Sequence, residues 1–383
     1  MDVQCEAEKH KQLMQSSQVT GNRQPKVRLI AFYLPQYYPI PENDEWWGKG
    51  FTEWTNVARA KPLFRGHYQP RIPADLGFYD LRVPETRQAQ ADLAKAYGIE
   101  AFCYWHYWFG GRRILERQVD EMLSTKEPDF PFCLGWANQS WTGIWHGAPD
   151  RMLIKQTYPG MDDHIAHFYY LLKAFSDERY ITVDGKPLFV VYRPGEIPDC
   201  KRVIDLWREL SHKEGLKGLY LVGEASELSK HGIWIPQDHG FDASLKMRIS
   251  PPEGWSSWRH PIRHLRSWWN KRVRKLPTIY RYEEVIPFLN SYNPNGVRNY
   301  PCILPNWDNT PRSNKNGLVL HESTPELFRI HVREQIKMVA DKPKEYRIVF
   351  IKSWNEWAEG NYLEPDLEFG HAYLKVLFEE VCR

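Results

Sequence analysis

Eight short apolar runs recur from Arg28 to the end of the chain, most of them followed by a polar or aromatic loop and then an amphipathic stretch. They are Arg28–Leu34, Ala101–Tyr107, Phe132–Ala137, Leu188–Tyr192, Leu219–Glu224, Ala243–Arg248, Cys302–Pro305 and Arg347–Lys352. Their residues are apolar, β-branched or aromatic at most positions, as strands buried on both faces read. Between them, Pro84–Tyr97 carries proline near its start and Gly98 just past its end, the expected punctuation of a helix. Further helices fit Leu115–Ser124, Asp162–Ser176, Cys200–Glu214, Tyr282–Ser291, Pro325–Ala340 and Phe369–Val381. Strands alternating with helices imply a parallel sheet, and eight units imply closure. The expected fold is therefore α/β, a (β/α)8 TIM barrel, with residues 27–383 as one domain bearing long βα loops. The polar, Gln/Ser-rich residues 1–26 are expected to be a disordered lead-in.

In such a barrel the loops after the strands build the active site, and the unusual residues of this chain cluster there. A doubly wound sheet would also gather ligand residues at its strand ends. Seventeen Trp, 21 Tyr and 17 Phe lie among these segments, many beside Asn, Asp, Glu or His. Aromatic rings stack on the C–H faces of sugars or bases, although each can equally fill a core. Tyr33 and Gln36 end the first strand, and Glu53 and Trp54 sit in the Pro/Trp-rich loop after it, where Glu53 either reaches a sugar or caps a turn. Trp105, His106 and Trp108 end the second strand; by alternation Trp105 and Tyr107 face one way and Tyr104, His106 and Trp108 the other. Trp136, Asn138 and Trp141 offer an amide edge flanked by rings after the third strand. Tyr192, Glu224, and Trp307 with Asp308 complete the set on later strands, Asp308 and Glu224 as reserve carboxylates.

The strongest constellation lies at the eighth strand, where RIVFIK runs directly into Trp354, Asn355, Glu356, Trp357, Ala358, Glu359 and Gly360. Two carboxylates three apart point to opposite faces of a continuing strand, but share a face if the backbone turns, and Gly360 permits a turn. Glycoside hydrolysis needs two carboxylates, one of them a proton donor. Desolvation among Trp rings and like-charge repulsion would raise one of the two pKa values. The bland alternative is a pair of solvated loop glutamates.

This segment resembles the WNEWxEG signature of glycoside hydrolase family 99 and of the related WbsX-like proteins of polysaccharide-biosynthesis clusters. Further blocks resemble the same group: AFYLPQYYPIPENDEWWGKGFTEWTNV at 31–57, FCYWHYWF at 102–109, GWANQSW at 135–141 and PNWDNTPR at 305–312. The N-terminal blocks are closer to the WbsX-like branch. The resemblance implies a barrel enzyme that acts on α-linked, mannose-like residues of an oligo- or polysaccharide, with retention and with neither metal nor cofactor. It implies that Glu356 assists deprotonation of the sugar 2-hydroxyl, so that a 1,2-anhydro sugar forms. Glu359 then protonates the leaving oxygen and afterwards activates water.

Other classes fit less well. A sugar-nucleotide glycosyltransferase would usually show a DxD motif or a Rossmann-type phosphate loop, and neither occurs here. Transglycosylation in polysaccharide biosynthesis stays open, as does a non-catalytic glycan-binding barrel. A formal net charge of +3 and a single basic block, residues 259–275, argue against a nucleic-acid partner. That block reads either as a solvated helix or as a peripheral contact to a membrane or lipid-linked glycan. No run is long and apolar enough for a transmembrane helix, and the first residues lack an apolar leader. Six scattered cysteines suggest reduced thiols and a cytoplasmic setting.

Overall fold

The computed structural model of the chain describes residues 25–143, 148–228, 232–247, 272–290 and 298–382. The expected lead-in, residues 1–26, lies outside them but for its last two positions, as does the basic block 259–275 but for 272–275.

The expected strands form one parallel sheet. Its members are β1 (Arg28–Tyr33), β2 (Ala101–His106), β3 (Phe132–Trp136), β4 (Lys186–Val191), β5 (Tyr220–Glu224), β6 (Ala243–Leu245), β7 (Asn299–Tyr300), β8 (Cys302–Ile303) and β9 (Ile348–Ile351). The hydrogen-bonded order is β7-β6-β5-β4-β3-β2-β1-β9-β8. β7 and β8 are two halves of the expected seventh strand, separated by Pro301, which has no N–H to give a ladder. The first half pairs with β6 and the second with β9, so one interrupted run brings the ends of the sheet together into a nearly closed barrel. The seventh strand thus begins earlier than its apolar core suggested, and the sixth stops at Leu245 rather than Arg248.

Around the barrel run α1 (Pro41–Trp47), α2 (Glu53–Arg59), α3 (Pro84–Ala96), α4 (Arg117–Thr125), α5 (Met161–Phe175), α6 (Cys200–Lys213), α7 (Tyr282–Leu289), α8 (Thr310–Ser313), α9 (Pro325–Lys337) and α10 (Ala372–Val381). α1 and α2 are a difference from expectation, because the segment after β1 reads as a Pro/Trp-rich loop. Each helix has only seven residues, too short for a periodic apolar stripe to stand out. α2 starts at a local capping box in which Thr52 and Thr55 exchange side-chain and backbone bonds.

Side-chain parity along the strands decides which residues reach the site. Phe32, Trp105 and Phe350 point inward, Phe32 stacking on Trp105 at 4.7 Å and on Phe350 at 5.4 Å between ring centroids. The next residues of the same parity, Leu34, Tyr107 and Lys352, line the cavity at the strands' C-terminal ends, with Ala137 and Tyr192. The other parity faces the helices: Tyr33 hydroxyl donates to Gln90 of α3 at 2.6 Å. Among the described residues no helix is long and apolar enough to cross a membrane.

Candidate active site

At the end of β9 the chain does not continue as a strand. Asn355–Glu356 pairs antiparallel with Asn361–Tyr362, and Trp357–Glu359 between them forms a 3-10 turn closed by Gly360 at φ +58°. That turn brings Glu356 and Glu359 to one face, where both carboxyls line the cavity close enough to shift each other's titration. Glycine is required at 360. A Cβ there would meet Asp308 Cβ at 2.8 Å and Asp308 N at 3.0 Å, besides the positive φ.

The cavity has a volume of about 390 Å³, within the range of small-ligand sites. Its aromatic lining comes from Trp47, Phe51, Trp105, Tyr107, Trp141 and Tyr192. Gln36 and Asn56 add amide side chains that make no side-chain hydrogen bond among the described residues. Three carboxylates (Glu53, Glu356, Glu359), the part-buried Arg312 and the buried Lys352 complete the inner surface.

The pair is electrically unequal. Arg312 Nη1 donates to Glu359 Oε1 at 2.6 Å, and its Nε donates to Glu53 Oε2 at 3.1 Å. Burial alone would raise Glu359, but the Arg312 charge, the bond from Glu356 and Lys352 outweigh it and hold Glu359 below the ordinary carboxylate range. Glu356 accepts one long hydrogen bond, from Trp105 Nε1 at 3.3 Å. Burial first, then the Glu359 charge beside it, push Glu356 up to about 8. The two carboxyls therefore hold one proton between them around neutral pH, nearer Glu356.

A second set of residues holds the turn from behind. Asn355 clamps the main chain of Leu34, accepting from its N at 2.8 Å and donating to its O at 3.1 Å. Tyr37 hydroxyl bonds Asn355 O and accepts from Trp357 N. Asp308 N donates to Glu359 O at 2.6 Å. The Asp308 carboxylate is taken up by His67, Gln69 and Thr310, which together with Arg71 keep it ionised despite burial. Glu364 accepts from Trp357 Nε1, Gln90 Nε2 and Tyr79 hydroxyl, and burial pushes it up to about 7.

Of the residues singled out in the sequence, Gln36, Glu53, Trp105, Trp141, Tyr192, Glu356 and Glu359 meet in the cavity. The others are placed elsewhere, for reasons of parity or of prior engagement. Tyr33 faces α3. His106 bonds His167 across to α5 at 2.8 Å, burial pushing it down to about 3 and so keeping it neutral. Trp108 donates to Asp163 of α5 at 3.1 Å and stacks on His167. Trp136 is wedged edge-on against His167 and packs on Trp207. Asn138 ties the loop after β3 to Arg193 N and O, while its neighbour Gln139 reaches the cavity. Trp54 donates to Tyr79 O within a ring cluster that includes Trp357. Trp354 packs on Phe102, and Trp357 stacks on Tyr362 at 3.8 Å. Trp307 lies under the Lys352 ammonium at 4.6 Å. Asp308 and Asn355 shape the turn, as above. Glu224 is fully buried and acts on the site through its charge on Lys352.

Arg312 and Lys352 were missed. Both had signals: Arg312 closes the PNWDNTPR block, and Lys352 has the inward parity of Phe350 in an otherwise apolar strand.

Residues 29–377 match the family model described as Glycosyltransferase WbsX. The chain belongs to the WbsX family. Two family relatives of this chain are both described as uncharacterized protein WxcX, from two strains of Xanthomonas campestris pv. campestris. They are 36% and 37% identical over 358 residues, which is 93% of this chain and 50% of each relative. The WbsX-family chain thus spans half the length of these relatives. Among solved structures it is similar to a glycoside hydrolase-like protein, with TM-score 0.56 and 15% identity over 94% of this chain and 95% of that one. It is also similar to a family-99 endo-α-mannosidase from Bacteroides thetaiotaomicron, with TM-score 0.54 and 14% identity over 92% and 95%. At such identities the likeness is one of fold: a (β/α)8 barrel, as the strand count implied.

Proposed function

We propose that this WbsX-family chain is a retaining glycoside hydrolase that cleaves α-linked, mannose-like residues in an oligo- or polysaccharide. One observation carries the reading: Glu356 and Glu359 stand on one face of a cavity lined by rings and uncommitted amide side chains. Rings take the C–H face of a sugar, amides its hydroxyls, and a half-protonated carboxyl pair supplies an acid and a base together.

In the scheme that the family resemblance implies, the 2-hydroxyl replaces Glu359 as the hydrogen-bond partner of Glu356, and the shared proton moves to Glu359. Glu356 takes the 2-hydroxyl proton as O2 attacks C1, and Glu359 protonates the departing oxygen, leaving a 1,2-anhydro sugar. Water then opens the ring at C1, giving its proton to Glu359 while Glu356 returns one to O2. Two inversions at C1 give net retention, and such substrate-assisted schemes lie outside the usual rule on carboxylate separation. An acceptor hydroxyl in place of water turns the same cavity to transglycosylation, the reading that the family's description as a glycosyltransferase favours.

The test is a set of α-linked mannooligosaccharides and bacterial polysaccharide fragments, with the anomer first released followed by proton NMR. Retained product formed in water without a nucleotide sugar is the expected result. Turnover that requires a nucleotide sugar would replace hydrolysis with transfer, and binding without turnover would leave a glycan-binding barrel.

A further inference from the structure

Lys352 is the last residue of inward parity on the strand that carries the catalytic pair, and the proposed chemistry gives it no role. Its side chain is buried, lines the cavity, and rests its ammonium on the face of Trp307 at 4.6 Å. Burial works against its charge, and the nearby acidic groups, Glu359 first, overcome that, so it stays protonated. No carboxylate among the described residues stands within ion-pair distance of it, and its ammonium has no hydrogen-bond acceptor among them. A buried ammonium with three unengaged donors is costly unless something in the cavity pairs with it.

The acidic groups of the cavity have other partners. Glu53 and Glu359 both hold Arg312, and Glu356 carries the proton of the pair. Arg193, at the rim, is ion-paired to Glu196. Of the charged side chains that line the cavity, Lys352 is thus the one that makes neither a hydrogen bond nor an ion pair among the described residues.

We infer that the sugar bound next to the catalytic pair carries an anionic substituent, a carboxylate or a phosphate, whose oxygens are held by the Lys352 ammonium. The inference rests on the cavity being a sugar site, and it narrows the substrate to an acidic glycan. A charge-assisted bond is roughly twice as strong as a neutral one, so Lys352 discriminates an acidic sugar from its neutral counterpart. The competing role is purely internal: Lys352 as a counter-charge that keeps the glutamate pair singly protonated. A counter-charge affects all sugars alike, whereas a recognition group affects only the acidic ones.

The experiment measures binding, not turnover, so that its failure is separable from failure of the hydrolase reading. The full chain is titrated calorimetrically at pH 7 with D-mannuronate, D-mannose 6-phosphate and D-mannose. The same set is repeated on Lys352→Met, and on Lys352→Arg, which keeps the charge should the neutral variant fold poorly. Expected in the wild type is affinity for at least one anionic sugar about tenfold above that for mannose, the size of one charge-assisted contact. Which of the two is preferred identifies the substituent. In Lys352→Met that ratio falls to about one, and in Lys352→Arg it is largely kept. Equal affinities in the wild type, no detectable binding of either anionic sugar, or a ratio that survives Lys352→Met would each overturn the inference.

Discussion

Trp105 and His106 are neighbours in β2, both aromatic, both buried, both at the strand end where a barrel keeps its chemistry. One opens onto the cavity and donates to Glu356; the other turns to α5 and bonds His167. The same split divides Leu34 from Tyr33 on β1. Being at the C-terminal end of a barrel strand is thus half of a functional address. The other half is parity, since successive side chains of a strand point to opposite faces.

The comparison can be broken first at Arg312, the cation that makes the glutamate pair unequal. Arg312→Gln leaves Glu53 and Glu359 buried without their cation, and we expect turnover to fall about 100-fold through mispositioning of Glu359. The pH profile gives the mechanism. Arg312 holds Glu359 low, so its removal raises Glu359, and the acid limb, where the pair gains a second proton, moves to higher pH. In the wild type the alkaline limb falls as the pair loses its remaining proton, through the value of about 8 that belongs to Glu356. An unmoved acid limb in Arg312→Gln would remove the charge-setting role.

On the helix-facing side the expected effect is on stability. His106→Phe keeps the ring but strands the His167 nitrogen in a buried setting, at a cost of about 1–3 kcal/mol. Denaturant unfolding reads that loss, while turnover per folded molecule stays near the wild-type value. A large fall in turnover with unchanged stability would place His106 in the chemistry after all. On the cavity side Trp105→Phe keeps the ring and deletes one long bond to Glu356, so turnover should fall only about 3- to 10-fold with stability nearly unchanged.

Much of this was legible because parallel strands write themselves as apolar runs, and because the paired glutamates stand next to one. The turn that joins those glutamates was foreseen from Gly360. Its reason, the close approach of Asp308, was not, because that contact spans residues far apart in sequence. Pro301 hid the first half of the seventh strand, so the apolar run seemed to begin at Cys302. The α1 and α2 segments are too short to show a period. His106, Trp108 and Trp136 drew attention by residue type, and only their helix partners His167, Asp163 and Trp207 explain why such polar rings are buried there. Arg312 escaped notice because its partners, Glu53 and Glu359, come from the first loop and the last turn.

The most direct test of the central claim is the turnover of Glu356→Gln and Glu359→Gln, each measured on a glycan that the wild-type chain cleaves. Removal of a general acid or base typically costs ~10²–10⁴-fold, and we expect both variants to fall in or beyond that range while still binding the glycan. Near-wild-type turnover in either variant would contradict the account.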